Sequence, residues 1–347
     1  MPLVWFSKLT MHLIALSILT DFLNLQNTKL ISTLYLESSV KSEHPELTKD
    51  GWLVIDKPSG FTSFQIVKVI RKLYSIKKVG HAGTLDPLAT GILPIALGEA
   101  TKTIPYVMAT DKTYHFTVCW GDDRDTNDSD GRVTATSKER PSEGSIMDIL
   151  QKFKGKFAQV PPNYSAIKVN GQRAYKLARE EKPVQLEART VEVKSIELLK
   201  IVDRDHAEFC VTTSKGFYVR SLARDLGLKL GTFGHIVALR RSQVGSFYEK
   251  DSILLDSLLA LEHSRGKFEA LLPVERALDD IPALSLTESS AKRLRCGQSI
   301  SVTEEANWLG ERPERVNKLA YATFNGKLLA VVTFQDNHLK PVRIFNL

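Results

Sequence analysis

Asp86 is a single carboxylate set in a loop dense in Gly, Thr and Pro, a setting in which an acid could be presented to a ligand. It stands in Gly80-His81-Ala82-Gly83-Thr84-Leu85-Asp86-Pro87-Leu88-Ala89-Thr90-Gly91, and an apolar run from Ile92 to Leu97 follows. Pro87 biases Asp86 away from helical backbone, so the carboxylate is expected on an extended turn. Glycines at 80, 83 and 91 let backbone approach a bulky ligand closely. By spacing alone, the stretch also reads as an ordinary Asp-Pro turn capping a strand. A second chemical pattern lies at Tyr164–Arg179, where Lys168, Arg173, Lys176 and Arg179 interleave with Tyr164 and Tyr175. Basic side chains among aromatics suit an RNA-gripping surface, although Lys176 and Arg179 taken singly also read as a solvated helix face.

Other chemistries find no footing. The chain has no G-x-G-x-x-G after a strand, no Walker A sequence, no H-E-x-x-H and no G-x-S-x-G. The acidic stretch Asp122–Gly131 fails the EF-hand template, because the sixth residue counted from Asp123 is Asp128 rather than glycine. An aspartyl phosphotransferase would want a second aspartate two positions after Asp86, and that residue is Leu88. The expectation is therefore a reaction with no metal and no nucleotide cofactor. Among 347 residues, 47 basic side chains face 40 acidic ones, and the resulting +7 suits a polyanionic partner without requiring one. Cys119, Cys210 and Cys296 lie far apart, which disfavours a disulfide framework or zinc cluster and fits a reducing, cytoplasmic setting.

The elements that must position these groups are legible in part. Trp52–Ile55 reads as a strand, and Asp56-Lys57-Pro58-Ser59-Gly60 as a turn. Thr62 or Ser63 caps a helix with Phe64, Val67, Ile70 and Leu73 on its apolar face. Ile92–Leu97 reads as a buried strand, 99–109 as a helix and 112–121 as a strand. Helices are predicted over 145–154, 172–180 and 223–230, and strands over 189–201, 206–213 and 235–244. Residues 251–279 read as helical. Short strands over 319–324, 328–334 and 341–345 follow, the first two joined by Asn325-Gly326, a strong hairpin signal. The first fifty residues hold a 12-residue run without formal charge between Lys8 and Asp21, too short to span a bilayer. No clear small-residue cleavage site follows it, and no arginine precedes Arg71. Residues 1–50 are expected to be a poorly ordered extension, as an upstream start codon would produce.

Taken together, the motifs resemble those of the TruB family of tRNA pseudouridine synthases. The resemblance rests on "DKPSG.TS" at 56–63, the Asp86 stretch, "K.Y" at 112–114 and an acidic loop like "TDT.D..G" within 122–131. Gln159–Gly171, Ser214–Leu222 and Leu239-Arg240-Arg241 continue the series in order. It implies an α+β pseudouridine synthase fold, a mixed, largely antiparallel sheet flanked by helices, over 51–280. A small PUA-like RNA-binding β domain over 281–347 is implied as well, with the insert at 304–317 blurring its pattern. The implied activity is isomerisation of uridine-55 in the tRNA T-loop, with the target base flipped out of its loop.

By the same resemblance Asp86 is the covalent catalyst, with attack on the sugar C1′ and on the base C6 both open. Arg220 matches the family's arginine, and a guanidinium is the direct way to keep a buried carboxylate nucleophile ionised. Tyr114 stacks on the base, replacing its lost neighbours, and serves in the closing proton transfer. His81 wedges into the T-loop, and Leu239 lines the uracil pocket. Lys57, Tyr218, Lys168, Arg173 and Tyr175 are the remaining expected RNA contacts, and the acids of the 122–131 loop orient basic residues nearby. The partner is the tRNA T-arm, with no membrane and a monomeric protein expected. The alternative from another class is a non-catalytic RNA-binding or tRNA-folding protein that keeps the cleft.

Overall fold

Residues 50–180, 182–301, 306–309, 319–335 and 337–347 are described in the computed structural model of the chain. The expectation for residues 1–50 therefore lies outside the described residues, Asp50 excepted, as does most of the insert at 304–317.

Period-two alternation builds the centre of the molecule. In the strand Gly51–Lys57, Leu53 and Ile55 face one hydrophobic cluster, and Trp52 and Val54 face another. The strand Thr90–Leu97 repeats the split: Leu93, Ile95 and Leu97 point one way, Ile92 and Ala96 the other. Because both faces are covered, Ile92–Leu97 reads as an unbroken apolar run rather than an alternating one. Full burial of each such aliphatic side chain is worth roughly 1.5–3 kcal/mol.

Around this pair runs a ten-stranded mixed sheet. Its order is Ile253–Leu254, Gly51–Lys57, Thr90–Leu97, Gly234–Val244, Lys112–Trp120, His206–Thr213, Arg189–Ile201 and Gly155–Gln159, with two short strands off this path. Neighbours are mostly antiparallel. The exceptions are Gly234–Val244 beside Thr90–Leu97, and Ile253–Leu254 beside Gly51–Lys57, which run parallel. One face is covered by helices Ser63–Leu73 and Val219–Lys229, which contribute Ile66, Val67, Ile70, Leu222, Ala223 and Leu226 to a common core. Thr62 caps the first of these in a capping box with Gln65. Phe64 does not belong to that helix's buried face as expected: it is 59% exposed, with the Lys68 ammonium 4.8 Å from its ring.

A second, six-stranded sheet is built from residues 283–344. Its hairpin turns on Asn325 and Gly326, both at positive φ as the Asn-Gly signal requires. Leu328, Val331 and Phe345 of this part join Trp52, Val54 and Ile92 in the core behind the main sheet.

Three predicted helices are shorter or broken. Over 99–109 a 3-10 segment Gly98–Thr103 precedes the helix Ile104–Ala109, which carries Pro105 in its first turn. Over 172–180 only Ala174–Arg179 is helical. The stretch 251–279 divides into the strand Ile253–Leu254, helices Leu255–Ala260 and Gly266–Glu269, and a 3-10 turn Val274–Leu278. There, pairing of Ile253 with Ile55 overrides local helical propensity.

Candidate active site

The loop carrying Asp86 is tied down along its length by the segment that precedes it in the chain. Gly60 N–H donates to Pro87 O at 2.8 Å, and Ser59 Oγ donates to Leu88 O at 3.2 Å. Ser63 Oγ accepts from Leu85 N–H at 2.8 Å and returns a bond to Leu85 O at 3.1 Å. Lys57 Nζ donates to Pro58 O and Phe61 O, each at 2.8 Å, and to Pro87 O at 3.2 Å. The Lys57 side chain is wholly buried, and burial lowers its pKa to about 8, partly opposed by the charge of Asp86. Lys57 is thus a strut beneath the loop, its ammonium held by three backbone carbonyls. A cation on a flexible stem satisfies three carbonyls that would otherwise be stranded.

Arg220 meets Asp86 from the opposite side. It occupies the first turn of helix Val219–Lys229, whose entry is fixed by a reciprocal pair. Tyr218 N–H donates to Gln159 Oε1 at 2.9 Å, and Gln159 Nε2 donates to Tyr218 O at 3.1 Å. From there Arg220 Nε donates to Asp86 Oδ2 at 2.8 Å, Nη1 to Thr126 O at 2.8 Å and Nη2 to Tyr164 O at 2.9 Å. Asp128 Oδ2 lies 3.5 Å from the same Nε. The Arg220 and Asp128 side chains are 5% and 6% exposed, whereas that of Asp86 is 33% exposed. One carboxylate is therefore buried as the arginine's permanent counter-ion, and the other stays accessible. Burial pushes the Asp128 pKa up, opposed by the Thr126 hydroxyl and the Arg220 charge.

Asp86, Tyr114, Tyr175, Tyr218, Arg220 and Leu239 all line one cavity of about 630 Å³. All six are among the site residues expected from sequence, and the cavity's size falls in the range of sites that enclose a small ligand. Burial raises the Tyr218 pKa, so its phenol is neutral at physiological pH. Leu239 is both a core residue and a cavity wall.

Other expected contacts lie away from this lining. His81 ends the short strand Val79–His81, opposite Ile95, and burial and the Arg241 charge lower its pKa. Lys168 and Arg173 oppose each other in a small ribbon, both exposed, with Arg173 Nη1 donating to Ala166 O.

Thr126, Asp128, Lys112 and Arg241 carry no role legible in the sequence, and all four line the cavity. Asp128 was only one acid among several in its loop. Arg241 was the second of two adjacent arginines. Strand parity separates these two: Arg241 faces inward, while Arg240 pairs with Asp56 Oδ2 at 2.8 Å and Glu249 Oε1 at 2.5 Å.

With an accessible carboxylate, a locked guanidinium and phenol rings around one cavity, the site can hold a planar ligand and attack it. Comparison with known proteins agrees in register. Residues 71–219 match the TruB family pseudouridylate synthase (N terminal domain), and residues 220–279 match the tRNA pseudouridylate synthase B C-terminal domain. A protein of Bradyrhizobium diazoefficiens called tRNA pseudouridine synthase B is 51% identical over 302 residues, 86% of each chain.

The chain belongs to the TruB family.

Another member of that name, from Rhodospirillum rubrum, is 47% identical over 86% of this chain and 96% of its own. Among solved structures, a Cbf5–Nop10–Gar1 complex contains a chain 26% identical, with a TM-score of 0.66 over 85% of this chain and 84% of that one. An H/ACA ribonucleoprotein bound to a substrate RNA aligns with a TM-score of 0.68 at 23% identity, covering 86% of this chain and 85% of that chain. This second likeness speaks for the pseudouridine synthase fold alone. The TruB family consists of isomerases, and the α+β fold implied by the sequence motifs is the one the chain adopts.

Proposed function

We propose that this TruB-family protein isomerises uridine-55 of the tRNA T-loop to pseudouridine, with Asp86 as covalent catalyst. The observation that carries the reading is the 2.8 Å bond between Arg220 Nε and the accessible Asp86 carboxylate, in the cavity that Tyr114 also lines. The reaction breaks the bond between C1′ and N1 of the uracil, turns the base and joins C1′ to C5. The proton leaving C5 is balanced by one gained at N1. A base stacked inside a folded loop is out of reach, so the nucleotide must first be flipped into the cavity.

Asp86 attacks either C1′ or C6, and Arg220 keeps it charged and aimed. Tyr114 supplies the ring on which the base stacks, and its hydroxyl serves in the closing proton transfer. Leu239 and Tyr218 bound the base. His81 occupies the space the base leaves in the T-loop. Lys168, Arg173 and Tyr175 grip the RNA backbone, supported by the position of Tyr175 and Arg179 at the cavity and the exposure of Lys168 and Arg173. The sheet built from 283–344 acts as a PUA-like RNA-binding unit. The enzyme works as a cytoplasmic monomer without a cofactor.

Incubation with an unmodified T-arm stem-loop, followed by base-resolved mapping of pseudouridine, tests this reading. Conversion at position 55 supports it. Tight binding without conversion would favour the non-catalytic tRNA-folding alternative.

A further inference from the structure

Two large apolar side chains among the described residues both line the Asp86 cavity and stand well exposed: Met108 at 49% and Tyr175 at 41%. The other aliphatic walls, Leu85 and Leu239, are buried. An exposed apolar side chain is ordinary by itself, so what matters is where Met108 is held and by what.

Met108 is the next-to-last residue of helix Ile104–Ala109. Val107 beside it is buried in the core behind the main sheet, which leaves Met108 off the helix's packed face and at the edge of the cavity. The last carbonyls of a helix have no partner within it, and a six-residue helix frays easily at such an end. Lys112 supplies the partners. Its Nζ donates to Met108 O at 2.8 Å, to Thr110 O, and to Val107 O at 3.4 Å. Thr110 Oγ1 adds a bond to Val107 O at 2.8 Å.

A lysine capping a helix end is usually solvated, but Lys112 is buried, at a cost that lowers its pKa to about 8. It opens the strand Lys112–Trp120, where it stands opposite Val244 on one side and Thr213 on the other. Tyr114 follows two residues later on the same face, and both line the cavity. One ammonium therefore ties the backbone of Met108 to the strand that carries Tyr114. We propose that Met108 is a substrate-contact residue whose thioether packs against the flipped base at the cavity mouth, and that Lys112 is the positioning residue that holds it there. A thioether is polarizable and adaptable, and it packs well against an aromatic ring. The proposal rests on the reading of the cavity as the receiver of a flipped uridine.

Equilibrium titration with two T-arm RNAs tests it, one with uridine at the target position and one abasic there, in the D86N background so that turnover does not blur the binding. M108A should weaken affinity for the uridine RNA about fivefold to tenfold, and for the abasic RNA by less than about twofold. M108L keeps the apolar bulk and should bind within about twofold of the Met108 protein. K112M should weaken binding of the uridine RNA severalfold, yet add less than about twofold to the loss already caused by M108A. Equal weakening of both RNAs by M108A, or no weakening, overturns the contact, and full additivity of K112M with M108A overturns the role of Lys112. Should K112M fold poorly, K112Q takes its place in the same cycle. Wild-type protein that binds the uridine RNA without forming pseudouridine would instead overturn the proposed reaction, and the affinities would still decide the contact.

Discussion

Replacing Arg220 by lysine keeps the positive charge and removes the fork, so it separates electrostatics from geometry. Arg220 makes three bonds in three directions, to Asp86 Oδ2, Thr126 O and Tyr164 O, at 2.8, 2.8 and 2.9 Å. A lysine nitrogen reaches one of those directions well and strands the other two. Hydrogen bonds to charged groups are worth about 1.5–3 kcal/mol each, so R220K forfeits roughly 3–6 kcal/mol of local interaction. If only the lower end of that loss reaches the transition state, the rate falls about 10²-fold. Misplacing the reacting group by 1 Å would cost a similar factor. The assay is single-turnover pseudouridine formation on a T-arm RNA, with RNA affinity measured in parallel. R220K should lose at least about 100-fold in rate while binding RNA within about threefold of wild type. R220M should lose more, because Asp86 and Asp128 then face each other without a cation. A lysine variant that keeps more than about a fifth of the wild-type rate would show that charge alone suffices and that the fork is incidental.

D86N should abolish turnover and leave T-arm binding near wild type; measurable turnover in purified D86N would remove Asp86 from the covalent step. Y114F should be milder than Y114A in the same rate assay, since phenylalanine keeps the stacking face, and equal losses would assign the whole effect to the hydroxyl. Lys57 gives a pH signature. Its folded pKa of about 8 lies below the ordinary 10.5, so between those values the native state binds fewer protons than the unfolded one. Wild-type stability should therefore rise with pH through that window relative to K57M, by on the order of 3 kcal/mol in urea unfolding. A difference that stays flat from pH 7 to 10.5 would deny the burial cost assigned to Lys57.

Local sequence carried the reactive stretch well, because its glycines, Pro87 and the following apolar run all act within a few residues of Asp86. The Asn325-Gly326 hairpin was legible for the same reason. Lys57 was not: a turn of Asp, Lys, Pro, Ser and Gly looks solvated, and only the arrival of the 85–88 loop from across the fold buries it. Phe64 misled because it satisfies helical spacing while Ile66 occupies the inward position. The 251–279 stretch is locally helical in composition, and its division is imposed by a strand partner about two hundred residues earlier. Arg241 could have been separated from Arg240 by strand parity, had the strand's register been known.

The closing of the core behind the main sheet has a consequence for how the protein is made. Phe345 is buried there beside Trp52, Ile344 O accepts from Lys102 Nζ at 2.8 Å, and Asn346 N–H donates to Glu99 Oε2 at 2.9 Å. The core on the rear side of the strand that leads out of the reactive loop, which already holds Phe247, Val274 and Leu278, is thus completed by Leu328, Val331 and Phe345. That part of the apolar cover arrives late in synthesis, and a stop upstream of residue 344 should lower stability by removing Phe345 from the core and two bonds from Lys102 and Glu99.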